Sequence, residues 1–119
     1  MEANVTLILT AAAMIGCGVY LVLERSLTRV LIGLVLISNA ANLLLLVTGG
    51  SAGQAPIVGE GPTAEMADPL PQALVLTAIV ISLAMIAFVL AMAYRSWQLE
   101  GHDDVQDDVE DARIRRLAA

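Results

Sequence analysis

The chain has no lysine, a single cysteine, a single histidine and long stretches with no charge at all. Each scarcity closes off a class of function. Cys17 stands alone, so no intramolecular disulfide forms; it reads as a small packing residue. Six arginines against twelve acids give a net charge of −6, which argues against binding nucleic acid. There is no metal-spaced His/Cys set, no nucleophile–base pair and no phosphate loop, so neither a metal, a cofactor nor catalysis is expected of this chain alone.

What fills the space is aliphatic. The hydrophobic share is 58% and the charged share 15%, where a soluble domain carries about a quarter charged. Three stretches are charge-free: Val5 to Leu23, Val30 to Thr48 and Ala73 to Tyr94. At 1.5 Å per residue, a run of about 19 residues crosses the roughly 30 Å hydrocarbon core. The expected architecture is an all-α membrane protein with three transmembrane helices, over about 4–23, 30–48 and 69–96. These make up a membrane domain at 1–97 with a loop at 49–68, followed by an acidic tail at 98–119. The first span lacks the basic flank of a secretory signal and is too long for one, so it reads as a retained helix.

Arginine placement sets the expected orientation. Arg25 and Arg29 fill the loop between the first two spans, and Arg95, Arg113, Arg115 and Arg116 follow the third. The positive-inside rule puts both segments in the cytoplasm, with the N-terminus outside and the C-terminus inside. Tyr94 and Trp97 suit an interfacial anchor at the inner end of the third span.

The loop opens GGSAGQAPIVGEGPTA from Gly49, a composition that predicts a flexible external segment which a partner could order. Asp68 can cap the third helix, whose first turn tolerates Pro69 and Pro71 because its amides lack intrahelical acceptors. The tail packs six acids between His102 and Asp111 without the pattern of a calcium loop, and reads as solvated. Asp111 and Arg115, at i and i+4, would support a short helix there. His102 reads as an ordinary polar residue of that tail.

No Asp, Glu, Lys, Arg or His lies within the three charge-free stretches, which argues against a proton relay carried by this chain alone. Two small-residue patterns, Ala12 with Gly16 and Ala84 with Ala87 and Ala91, would allow close helix approach. Asn39 and Asn42, beside Ser38, place amides in the second span. They serve either as glue between helices or as the lining of a hydrated route shared with a neighbouring protein. Thr77 and Ser82 carry the same two readings, although a helical Ser or Thr can also bond its own i−4 carbonyl.

Several segments resemble the C-type component of Mrp-type multisubunit Na⁺/H⁺ antiporters. They are Gly16-Cys-Gly18-Val-Tyr20-Leu, the run from Arg25 to Gly33, Asn39-Ala-Ala-Asn-Leu43, and above all Ala67-Asp68-Pro69-Leu-Pro71-Gln72 continuing to Ile81. The resemblance covers about residues 4–97. It implies a multi-pass subunit of the bacterial cytoplasmic membrane that packs against other antiporter subunits and lipid, with the ion-conducting carboxylates and lysines on large partners. That family is similar in turn to the small K-type subunit of respiratory complex I, whose intramembrane glutamates would fall near Val35 and Ser82 here. Neither residue can carry a proton as a carboxylate does, which favours the antiporter family and argues against a direct protonation role. The alternatives are the K-type respiratory subunit itself and a holin-like homo-oligomer; a small multidrug exporter would need a fourth span and a buried glutamate.

Overall fold

In the computed structural model, which describes residues 2–50, 52–105 and 109–118, helices α1 (Glu2–Val22), α2 (Leu27–Thr48) and α3 (Pro69–Glu100) precede a short α4 (Val109–Ala118). The first three are long and apolar enough to cross a membrane. α2 begins at Leu27, ahead of the expected 30, and α3 runs on to Glu100, beyond the expected 96. No breaker interrupts α3 before Gly101, whose left-handed backbone (φ 76°) ends it with an N–H bond to the Trp97 carbonyl. Its 32 residues reach about 48 Å, so its last turns project past the hydrocarbon.

The helices form an open row. α2 packs on α1 along one side and on α3 along another, and α1 and α3 make no close backbone approach. Little is fully enclosed: among the described residues the buried hydrophobics are Ala11, Leu31, Ala40 and Ala93. Large aliphatic side chains face outward instead, as lipid or a partner surface requires when water is not the solvent.

α1 and α2 cross at Gly18 and Gly33. A Cβ on Gly33 would lie 2.6 Å from the Gly18 carbonyl oxygen and 2.9 Å from the Val22 nitrogen; one on Gly18 would meet the Gly33 oxygen at 2.9 Å. Backbone therefore packs on backbone, and only glycine fits. Ala12 and Gly16 do not serve this contact. Both are exposed, and nothing lies within 4 Å of a Cβ built on Gly16. Likewise Ala84, Ala87 and Ala91 are exposed, while α3 turns Val75, Ala78, Ser82, Ile86, Val89 and Ala93 inward. That 3-and-4 spacing is one helical stripe, and the alanine stripe lies opposite it.

The long loop folds back on itself. Gln54 and Met66 form an isolated parallel bridge, with the Gln54 N–H bonded to the Glu65 carbonyl (2.9 Å) and the Ala67 N–H to the Gln54 carbonyl (3.0 Å). A 3₁₀ turn at Thr63–Glu65 precedes it. The acidic tail is also not solvated throughout, since Asp103 to Val105 dock on the turn between α1 and α2. The reason is electrical and local: α2 opens with unsatisfied amides and no acid in its first turn. The Asp111–Arg115 pair lies outside the described side chains.

Candidate functional site

The α2–α3 interface is held at separate points along its length. At the loop end, Gly49, the C-cap of α2, faces Pro71, whose ring carbon would lie 3.0 Å from a Cβ on that glycine. Asp68 Oδ1 accepts the Leu70 N–H at 3.0 Å, capping α3 as its position before the prolines predicts. Asp68, Pro71 and Gln72 line a cavity of about 490 Å³ together with Asn4 and Leu7 of α1 and Gly49. Three of the motif residues thus share one recess lined from all three spanning helices or their caps. Tyr20, by contrast, is exposed on α1.

Midway along the helices, the Ser38 and Ser82 hydroxyls pair across the interface at 2.7 Å. Beside them Leu31, Leu34, Met85 and Val89 help line an open, largely apolar cavity of about 270 Å³. Ser82 therefore bonds across to α2 and not to its own i−4 carbonyl. Thr77 does take the local option, its hydroxyl donating to the Ala73 carbonyl at 3.1 Å. Asn39 is exposed, and its amide donates to the Val35 carbonyl at 3.0 Å. Asn42, half-buried and four residues beyond Ser38, falls on the face turned to α3. The two asparagines thus have different surroundings, and the polar step between helices is the serine pair. The position that the K-type resemblance aligns with a glutamate, Ser82, is one half of that step.

At the opposite end, Tyr94 and Trp97 stack with centroids 6.5 Å apart, both more than half exposed, and Gln98 Nε2 donates to the tyrosine hydroxyl at 2.9 Å. Asp103 accepts from the Ser26 hydroxyl (2.9 Å), the Thr28 N–H (2.9 Å) and the Thr28 hydroxyl. The Thr28 hydroxyl, then the Thr28 amide, then Ser26 hold its carboxyl down at about 2. Arg29 pairs with Glu24 at 3.4 Å, and His102 Nε2 lies 3.8 Å from Glu100 Oε2. Sequence reasoning missed both Asp103 and the Gly18–Gly33 contact. Ser26, placed as an N-cap but followed by no acid in the first turn, was the available sign that α2 needed a cap from elsewhere.

Three apolar helices in an open row, free of Asp, Glu, Lys, Arg and His within their charge-free runs and joined by small polar steps, define a multi-pass membrane protein whose outer faces are made to be covered. Residues 6–110 match the family described as NADH-ubiquinone/plastoquinone oxidoreductase chain 4L. The chain is 44% identical over 97 residues to the C-type Na⁺/H⁺ antiporter subunit of Alkalihalophilus pseudofirmus, covering 82% of this chain and 87% of that one. It is 43% identical over 104 residues to the C1-type Na⁺/H⁺ antiporter subunit of Staphylococcus epidermidis, covering 87% and 90%. Among solved structures, a chain of the Mrp complex from Dietzia sp. DQ12-45-1b superposes with a TM-score of 0.79 at 38% identity, over 90% of this chain and 81% of that one. A chain of the membrane-bound sulfane sulfur reductase, an archaeal respiratory membrane complex, gives 0.70 at 42% identity, over 82% and 92%. The protein belongs to the family of C-type Na⁺/H⁺ antiporter subunits, within the wider chain 4L family.

Proposed function

We propose that this protein is the C-type subunit of a multisubunit Na⁺/H⁺ antiporter of the cytoplasmic membrane, packed between larger subunits that translocate the ions. The observation that carries the reading is its 44% identity to a C-type antiporter subunit over most of both chains. The charge-free spans support an accessory role without chemistry of its own, because a relay through the bilayer needs groups that ionise. The exposed faces of α1 and α3, lined with aliphatic and small side chains, supply the surface for those neighbours.

The orientation we infer is N-terminus outside, C-terminus cytoplasmic. Arg25 and Arg29 are joined to the segment after Arg95 by the contacts of Asp103 and Val105, which gathers these arginines at one end of the row. On this reading residues 1–97 form the membrane domain, 49–68 the external loop and 98–119 a cytoplasmic tail. Ser38, Ser82 and Asn42 would wet or seal the route between subunits, with Asn39 and Thr77 presented outward to a neighbour. Replacing Ser38 and Ser82 by Ala, or Asn39 and Asn42 by Leu, tests this in vesicles; normal assembly with unchanged antiport would count against a wet route.

The similarity to chain 4L and to a respiratory complex supports a second reading, a subunit of a redox membrane complex. Mild-detergent purification from the native membrane with mass spectrometry separates the two. Large antiporter-like partners without flavin or iron–sulfur proteins are the expected result; redox subunits would overturn it, and copies of this chain alone would point to the homo-oligomer.

A further inference from the structure

α3 touches α2 along one stripe and makes no close backbone approach to α1, so little in the helix packing itself stops it from rolling. A different set of contacts lies at the Arg25 end. The chain reverses at Gly101, and the His102 carbonyl accepts the Ser96 hydroxyl at 3.3 Å, bringing Asp103 over the start of α2. Ser26 stands at the N-cap with extended backbone (φ −72°, ψ 126°), yet its side chain caps nothing; it donates to Asp103 instead. Asp103 Oδ2 gathers the Ser26 hydroxyl, the Thr28 amide and the Thr28 hydroxyl, while its own carbonyl accepts the Leu27 amide at 2.9 Å. Two residues beyond Asp103, the Val105 N–H donates to the Arg25 carbonyl at 2.7 Å.

We propose that Asp103 is a positioning residue: it caps α2 from 75 residues downstream and, by doing so, fixes α3 against the α1–α2 hairpin in the register that brings Ser82 to Ser38. Two independent features support it. α2 has no acid in its first turn, and Glu24 just before it pairs with Arg29, so the Asp103 carboxylate supplies the anion at the first-turn amides. The clasp also ties down three things at once, namely the turn after α1, the start of α2 and the end of α3, which the helix packing joins only in pairs. The inference rests on these contacts alone and does not require the antiporter reading.

The test uses the full chain in its native membrane with Cys17→Ala, carrying Ser38→Cys and Ser82→Cys as a disulfide reporter of register under a mild oxidant. Asp103→Ala is expected to lower the yield about five-fold, the factor that corresponds to losing an N-cap side chain. Asp103→Asn, whose amide oxygen accepts the same donors, should restore most of it, whereas Asp103→Leu should not. A yield in Asp103→Ala equal to the parent overturns the proposal, as does Asp103→Asn behaving like Asp103→Ala. Should Asp103→Ala fail to accumulate, Ser26→Ala with Thr28→Val removes the two hydroxyl donors and keeps the acid. A reduced yield then supports the clasp, and a parental yield overturns it.

Discussion

The two faces of α2 are built on different principles. Toward α1 the contact is backbone on backbone at Gly18 and Gly33, with no room for a single added carbon. Toward α3 it is a series of separate fastenings, Gly49 with Pro71, Ser38 with Ser82 and the Asp103 clasp, with cavities between them. The contrast teaches that a membrane hairpin gains rigidity from shape, whereas the more loosely packed neighbour is held by directional bonds at chosen points. Shape tolerates no substitution; a set of fastenings can lose one and weaken by degrees.

The largest effect is expected at the glycine crossing. Gly33→Leu would drive a side chain into the Gly18 carbonyl and the Val22 backbone, an overpacking of about 2–3 kcal/mol, and the protein should not accumulate in membranes by immunoblot. If it accumulates normally, the hairpin is not the rigid half. On the other face, Gly101→Ala places a Cβ on a left-handed residue at a cost of about 1–2 kcal/mol. It should loosen the clasp, read as faster amide exchange at Thr28, while leaving the α1–α2 crossing unchanged.

Removing the serine pair should be milder. Ser38→Ala is expected to cost about 0.6 kcal/mol, in line with hydrogen bonds between membrane helices, and a thermal shift in detergent would measure it. A loss several times larger would mean the pair organises waters in the adjoining cavity. Between pH 5 and 9 the clasp should not respond at all. Its carboxyl is depressed to about 2, so its contribution is complete above the ordinary carboxylate range near 3.9 and fades as pH falls through about 2. Amide exchange at Thr28 across pH 2–5, corrected for intrinsic rates, checks this. The smallest effect belongs to Gly16→Leu, at a position where an added Cβ meets nothing within 4 Å among the described residues; a large loss of assembly there would instead reveal a partner helix on that face.

The spans were legible in the sequence because the bilayer penalises charge wherever it falls, so a run without charge carries the signal by itself. The Asp68 cap and the Thr77 back-bond were legible because donor and acceptor lie two and four residues apart. Helix pairing was not. Ala12 with Gly16 matches a packing pattern as well as any pair, but which stripe of α1 turns to α2 depends on α2, and the structure chooses Ala11 and Gly18. The polar site was half legible: Ser38 and Ser82 stand out as hydroxyls in apolar runs, but their 2.7 Å meeting is set by the register of two helices joined by a long loop. Asp103 was hidden by company, one acid among six in a tail whose composition reads as solvated.

The distant cap has a consequence for biogenesis. Thr28 leaves the ribosome 75 residues before Asp103. At bacterial and eukaryotic synthesis rates that interval lasts about 4–15 s, longer than a helix needs to form. The α1–α2 hairpin therefore enters the bilayer with the first turn of α2 open to water and lipid headgroups. The segment at Asp103, emerging later, then closes it, so a product lacking Asp103 would leave that turn uncapped.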